Sequence, residues 1–242
     1  MKKSKVMLFG AMALTAGLAL AACGSSQSSN ADKTYSYIFV NNPDTLDYIT
    51  STRDSTSSIT TNLIDGLLEN DQYGNLIPSM AESWTVSKDG LTYTYKIRQG
   101  AKWYTSEGEE YADVTAHDFV TGLKYAADKK AENLYLVQDS IKGLADYVEG
   151  KSSDFGTVGV KAVDDYTLQY TLNQPETYWN SKTTASILSP VNEAFLKSKG
   201  DDFGSVTPSS ILSNGPYLFK SFTSKSLIEF DKNPNYWDKD NV

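Results

Sequence analysis

Polar and apolar positions follow their most regular order between Ala81 and Trp103. Leu91, Tyr93, Tyr95 and Ile97 alternate with Thr92, Thr94 and Lys96, a period of two that predicts a half-buried strand. Trp84 to Val86 is its short partner, and Ser87-Lys88-Asp89-Gly90 supplies a reversal in which Gly takes the position with φ > 0. Gly100 ends the strand, and Trp103 adds a ring that needs a pocket or a partner. Further on, Tyr166, Leu168, Tyr170 and Leu172 share one face. With Val160 to Val163 and the turn residues Asp164-Asp165 they predict a second hairpin. Pro216 to Phe222 and Leu227 to Phe230 pair around Thr223 to Ser226. Thr34 to Val40 reads as a buried first strand, stopped by Asn41-Asn42-Pro43-Asp44 because Pro lacks a donor and Asn and Asp favour turns. Ile187 to Val191 reads as one more short strand.

Helical spacing appears in four places. Ile59, Leu63 and Leu67, with Ile64 alongside, recur at i, i+4 and i+8, and Ser55 to Ser58 offer N-caps. Thr115-Ala116-His117-Asp118 opens a helix with a Thr…Asp pair resembling a capping box, and Phe119, Leu123 and Ala126 mark its inward face. Leu134 to Tyr147 predicts a second helix of mixed polarity, and Asn192 to Lys199 another, closed by Gly200. Asn70 to Asn75, Ser106 to Glu110 and Gly150 to Gly159 are loops.

The amino terminus follows a different logic. Met1 to Lys5 is basic, Val6 to Ala22 is uncharged, and Ser25 to Asn30 is polar. A positive start, an apolar middle and small residues at the end describe an export signal over residues 1–22. Leu20-Ala21-Ala22-Cys23 looks like a bacterial lipobox, in which lipid joins the Cys23 thiol and cleavage leaves that cysteine first. Residues 23–33 are then a lipidated, Ser-rich tether, and the folded part belongs outside the cytoplasm at a membrane surface. Without Lys2, Lys3 and Lys5, 19 basic residues face 30 acidic ones, a net charge of −11 instead of −8. That balance repels nucleic acid and anionic head groups, so neither is an expected partner. A chain of 242 residues can bury a substantial core. Sixteen tyrosines supply flat rings with a polar edge, suited to strands and to polar cavities alike.

Catalytic chemistry finds little to stand on. Cys23 is the only cysteine and His117 the only histidine, and no Walker loop, G-x-G-x-x-G, G-x-S-x-G or H-E-x-x-H occurs. His117 lacks nearby partners and reads as an exposed helix-start residue. Asp231-x-Asn233-x-Asn235 mimics the start of a calcium loop, but Tyr236 replaces the required Gly and Val242 the terminal Glu. No metal, cofactor or catalytic residue is assigned.

Several motifs carry a resemblance. They are Ala81-Glu82-Ser83-Trp84, Asp89-Gly90-Leu91-Thr92-Tyr93, Ile97 to Trp103 and Thr115-Ala116-His117-Asp118-Phe119-Val120. Supporting them are Asp44-Thr45-Leu46-Asp47, Asp65-Gly66-Leu67-Leu68, Val160 to Asp165 with Thr167-Leu168, Asn214-Gly215-Pro216-Tyr217 and Asn233 to Trp237. In this order they resemble the peptide/nickel class (family 5) of bacterial extracellular solute-binding proteins, the receptors of ABC importers. With the lipobox and the acidic, Tyr-rich character, the chain is similar to the Ami/Ali-type oligopeptide lipoproteins of streptococci.

The resemblance implies an α/β clamshell of the periplasmic-binding-protein-like type II fold, truncated before the family's third lobe. Residues 34–61 plus 173–242 form an incomplete first lobe and residues 62–172 an inserted second one. It implies a non-enzymatic, monomeric receptor at the extracellular face of the membrane, holding an oligopeptide for the permease subunits. Positions matching the near wall of the family's cleft are Ser51, Thr52, Arg53 and Asp54, the Asn214-Gly215 turn and Tyr135. Arg53 is equally an exposed cation and Asp54 equally an N-cap. Two rival readings stand beside this one. The chain could be a surface remnant that binds little peptide and acts as a decoy or adhesin, or a peptide hydrolase, which the scarcity of histidine disfavours.

Overall fold

In the computed structural model the described residues are 34–39 and 41–242, and the chain divides into two units, residues 1–39 and 40–242. The expected signal, tether and Cys23 lie outside the described residues. In the first unit, residues 34–39 form no strand, although Tyr35, Tyr37 and Phe39 place their rings 5.9 and 6.2 Å apart in succession. The strand expected over Thr34 to Val40 is therefore not found. Alternation makes a segment ready to pair, but a ladder needs a second backbone to bond to, and among the described residues none pairs with it.

The second unit runs through α1 (Asp54–Thr60), β1 (Leu68–Asn70), β2 (Leu76–Pro78), β3 (Ala81–Val86), β4 (Thr92–Ile97), β5 (Lys102–Tyr104) and β6 (Glu110–Asp113). Then follow α2 (Ala116–Lys129), a 3-10 turn (Glu132–Leu136), α3 (Leu144–Val148), β7 (Val160–Asp164) and β8 (Thr167–Thr171). α4 (Trp179–Lys182), α5 (Glu193–Lys199), β9 (Tyr217–Thr223) and β10 (Leu227–Lys232) complete it. Among the described residues the strands form one four-stranded antiparallel sheet of order β3-β4-β8-β7 and three two-stranded ribbons.

The two alternating stretches thus become the central strands of one sheet. Tyr93 lies opposite Tyr170 and Tyr95 opposite Leu168. As the period of two requires, Tyr93, Tyr95 and Ile97 are buried while Lys96 is exposed. Gly90 takes φ 73° in the β3–β4 turn, a conformation glycine adopts without cost. Onto the buried face comes Trp179 of α4, its ring 5.3 Å from Tyr170 and 6.2 Å from Tyr93. The Tyr95 hydroxyl donates to Asn180 Oδ1 at 2.6 Å. The same segment holds buried Glu176, whose Oε2 lies 2.9 Å from Lys182 Nζ as an ion pair without hydrogen-bond geometry.

α2 lies against β7 and β8. Its capping box forms as expected: the Asp118 carboxylate accepts from the Thr115 N–H at 2.8 Å. The same oxygen accepts from Trp103 Nε1 at 3.1 Å, and this is the partner the Trp103 ring required. Phe119, Leu123 and Ala126 are buried, and His117 is exposed with Nε2 3.3 Å from Asp165. A Cβ at Gly122 would stand 2.2 Å from the Ser189 carbonyl, so only glycine lets the chain after α4 pass this close to the helix.

Three expected elements are corrected. The helix placed from Ser55 through Leu67 is instead Asp54–Thr60, with Arg53 at its N-cap position and no side-chain cap. Hydroxyls of Ser58, Thr60 and Thr61 donate back to carbonyls one turn earlier, a pattern that loosens helices. Leu63, Ile64 and Leu67 are buried beyond its end. Leu134 to Tyr147 is a 3-10 turn and the short α3, separated by Gly143 at φ 72° and by the pairing of Ile141 with Leu172. Ile187 to Val191 carries a 3-10 turn over Ser186–Leu188 and no strand. It packs on α2, where the Val191 N–H donates to the Asp118 carbonyl at 2.9 Å.

Burial is the main influence on the Asp118 carboxyl, raising it from its ordinary 3.8 to about 6 against the pull of its hydrogen bonds. A folded-state value above the unfolded one means that protonation stabilises the fold. That contribution is full below the unfolded value and is lost as pH rises through about 6. Urea unfolding should therefore show the wild type losing on the order of 2 kcal/mol relative to Asp118→Asn between pH 4 and pH 7. Parallel stability–pH curves for the two proteins would contradict this.

Candidate functional site

The residues singled out by sequence fall into two structurally different groups. The first is the loop from Ser51 to Asp54, rooted in a buried segment. Leu46, Tyr48 and Ile49 are buried, and the Tyr48 hydroxyl donates to the Pro190 carbonyl at 2.8 Å. Thr45 Oγ1 donates to the Gly204 carbonyl at 2.9 Å. Gly204 sits at φ 72°, and a Cβ there would meet the Asp47 nitrogen at 2.5 Å. Residues 45–49 are therefore wedged against the 203–204 turn.

From this root the loop emerges polar and open. The Ser51 N–H donates to the Asp47 carbonyl at 3.0 Å, and Ser51 Oγ donates to Thr56 Oγ1 at 3.0 Å. Thr56 Oγ1 in turn donates to the Thr45 carbonyl at 2.8 Å, closing the loop on itself. Thr52 Oγ1 donates to Glu132 Oε2 at 3.1 Å. Arg53 Nε lies 3.0 Å from Asp44 Oδ2, with side-chain exposures of 68% and 57%. At that exposure the pair orients the guanidinium without contributing much stability. Asp54 is the first residue of α1 and is exposed. Its expected N-cap position belongs to Arg53.

Tyr135 belongs beside this loop. It shares the 3-10 turn with Glu132, and residues i and i+3 of a 3-10 helix eclipse one another. Tyr135 therefore projects from the same face as the Glu132 side chain that meets Thr52, and it is 76% exposed. The Thr52–Glu132 bond thus brings the exposed part of the loop, Thr52 to Asp54, to the 3-10 turn that carries Tyr135.

The second group, Asn214 and Gly215, lies inside. Asn214 is 2% exposed, its Nδ2 donates to the Asp65 carbonyl at 3.1 Å and its Oδ1 accepts from the Asp65 N–H at 2.9 Å. The Gly215 N–H donates to the Leu63 carbonyl at 2.8 Å, and a Cβ there would stand 2.7 Å from the Leu63 carbonyl carbon. This turn clasps the chain at residues 63–65, and both amide atoms are occupied in doing so.

Sequence reading named the residues that brace this second group as motif positions but gave them no role. Asp65 Oδ2 accepts from the Tyr236 hydroxyl at 2.8 Å and from Trp237 Nε1 at 2.9 Å. Arg98 lies 3.7 Å from the Trp237 ring centre. Burial pushes the Asp65 carboxyl above its ordinary range. Asn233 is fully buried, accepting from the Asn235 N–H and donating to the Gly215 carbonyl, so the calcium-like stretch is a turn brace. Periodicity gives no sign of the contacts that join Asp65 to Tyr236 and Trp237, because their partners lie far apart in sequence. Among the described residues no group of three His, Cys, Asp or Glu side chains is placed to hold a metal.

A mixed α/β chain carrying this arrangement is part of a solute-binding-protein fold. It superimposes on the substrate-binding domain of an oligopeptide ABC transporter from Bacillus anthracis with a TM-score of 0.77 at 34% identity, over 85% of this chain and 39% of that one. The Haemophilus influenzae OppA complex with RPPGFSPFR matches with a TM-score of 0.74 at 31% identity, over 83% of this chain and 38% of that one. Residues 75–242 match the profile of the bacterial extracellular solute-binding proteins, family 5 Middle, and the chain belongs to that family. In sequence it is 66% identical over 240 residues to the oligopeptide-binding protein AliB of Streptococcus pneumoniae serotype 4, covering 99% of this chain and 36% of AliB. The chain thus spans a little over a third of the length of its relatives.

Because Asn214 is consumed by the fold, Asn214→Ala should act on stability. It leaves the buried N–H and C=O of Asp65 without partners, which costs about 2 to 3 kcal/mol in urea unfolding. A variant as stable as the wild type would return Asn214 to the list of free, ligand-facing residues.

Proposed function

We propose that this chain supplies the near wall of the peptide site in the substrate-binding component of an ABC oligopeptide importer, with Ser51, Thr52, Arg53, Asp54 and Tyr135 facing the ligand. The observation that carries this is the arrangement at Thr52. The Thr52–Glu132 hydrogen bond gathers a short exposed loop, an oriented guanidinium and an exposed tyrosine into one patch on a buried root. Such a patch suits an extended peptide, whose backbone is recognised by hydrogen bonds while an aromatic ring meets its side chains. In support, relatives at 66% and 31% identity are named for oligopeptide binding, and one was crystallised with a nonapeptide. Asn214 and Gly215 act from behind, by fixing the 63–65 crossover. Family chemistry is capture without turnover.

The same reading takes residues 34–61 plus 173–242 and residues 62–172 as two lobes, a division supported by all four strands of the main sheet lying within the second stretch. It takes Cys23 as the lipid-bearing residue, the extracellular face of the cell membrane as the location, a monomer as the working form and the importer's permease subunits as partners.

One wall buries little of a ligand, whereas ligand sites ordinarily cover 70 to 90% of it. The 242-residue chain should therefore bind RPPGFSPFR with a Kd on the order of 1 mM. In an NMR titration the peptide should shift the amides of Ser51 to Asp54 and Tyr135, and Arg53→Ala should reduce those shifts. Shifts confined to other surfaces would refute the assignment of the wall. Cleavage of the peptide would refute the receptor reading itself.

A further inference from the structure

Asp47 stands at the root of the ligand-facing loop, and its carboxylate accepts four hydrogen bonds. Oδ1 takes the N–H groups of Ile49 at 3.1 Å and Thr50 at 3.2 Å. Oδ2 takes Thr50 Oγ1 at 2.6 Å and the Tyr125 hydroxyl at 2.9 Å. Three of these donors belong to the turn that Asp47 itself begins, and they bend residues 47–50 into one shape. The fourth comes from α2, an independent and well-packed element. The Asp47 carbonyl then accepts the Ser51 N–H, so the direction in which the loop leaves its root is set by the orientation of this one residue.

Tyr125 is equipped to hold that orientation. Its ring packs edge-to-face on Phe203 with centroids 5.5 Å apart, and it rises from the middle of α2. Burial, followed by the neighbouring Asp47 charge, pushes its ionisation well above the ordinary 10, so the hydroxyl remains a donor. An open groove of about 320 Å³ runs past Asp47, Thr50, Tyr125 and Lys129. The hydroxyl therefore touches Asp47 beside solvent, and water can replace it without rearranging the core. Water would satisfy the carboxylate but would not connect it to the helix.

We propose that Tyr125, acting through Asp47, is a positioning residue for peptide recognition: it ties the turn that launches Ser51 to Asp54 onto α2, so the wall is ordered before a peptide arrives. This rests on the peptide-site reading above. A loop already held in its binding conformation loses less entropy when ligand is captured.

The test is amide hydrogen exchange by NMR on the 242-residue chain, alongside titration with RPPGFSPFR, for wild type, Tyr125→Phe and Asp47→Asn. Tyr125→Phe keeps the ring against Phe203 and removes only the tie. The amides of Ile49, Thr50 and Ser51 should then exchange about tenfold faster, the size expected for losing one hydrogen bond to a charged group. Amides of β4 and β8 should be unchanged, and the Kd for the peptide should rise roughly fivefold. Asp47→Asn should shift the same amides further. Unchanged exchange at residues 49–51 would overturn the proposal. So would equal acceleration in β4 and β8, which marks a general loss of stability, or faster loop exchange with unaltered affinity. Absence of peptide binding by the wild type would instead defeat the peptide-site reading, while the exchange rates still decide whether Tyr125 orders the turn.

Discussion

Three buried aspartates hold this fold together, and each does so by gripping the polar edge of an aromatic ring. Asp118 takes the Trp103 indole N–H, Asp65 takes the Tyr236 hydroxyl and the Trp237 indole, and Asp47 takes the Tyr125 hydroxyl. A carboxylate removed from water must be stabilised by hydrogen bonds or give up its charge. Here neutral N–H and O–H donors fill most of that role, with Arg98 reaching Asp65 only as a more distant charge. The compensation is partial, since burial outweighs the donors at both Asp65 and Asp118. What is gained is direction. Each carboxylate fixes where a large ring lies, and each ring joins segments that are remote in sequence.

This device explains which parts of the fold are legible from the chain alone. Both main hairpins follow from residues a few positions apart: the Tyr93-Tyr95-Ile97 alternation, the Asp-Gly reversal and the Leu168-Tyr170 face. The start of α2 is also local, because Thr115 and Asp118 sit three residues apart. The failures occur where local and tertiary preferences diverge. Ile59, Leu63 and Leu67 have helical spacing, yet the helix stops at Thr60 because the Asn214-Gly215 turn draws the backbone at residues 63–65 into a clasp. Ile187 to Val191 has a strand's composition, but its neighbour is a helix with a glycine window, and a helix offers no ladder.

The candidate site divides the same way. Resemblance located Ser51 to Asp54 and Tyr135, and the structure joins them through Glu132, whose part had no sequence signal. Resemblance located Asn214 and Gly215 as well, but a residue can recur in a motif because it builds the wall or because it touches what lies against it. Burial separates the two: Asn214, 2% exposed with Nδ2 and Oδ1 both bonded to the Asp65 backbone, serves the fold. Tyr125 and Asp47 illustrate the reverse. Neither stands out by composition or spacing, and their importance arises from a single hydrogen bond between the loop's root and the middle of a helix.

The peptide-site reading proposed above gives a reason for this construction. Contacts to peptide backbone demand that loop donors and acceptors be aligned with little tolerance, while contacts to side chains must remain permissive. The short loop of Ser51 and Thr52, leading into the hydroxyl-rich first turns of α1, supplies polar atoms but little packing of its own. Its order has to come from beneath. The buried segment from Leu46 to Ile49, with Asp47 bonded both to its own turn and to α2, is the packed support on which the proposed wall can rest. Rigidity below and polarity above give the loop a fixed pattern of exposed hydrogen-bonding groups, which is what the proposed peptide site requires.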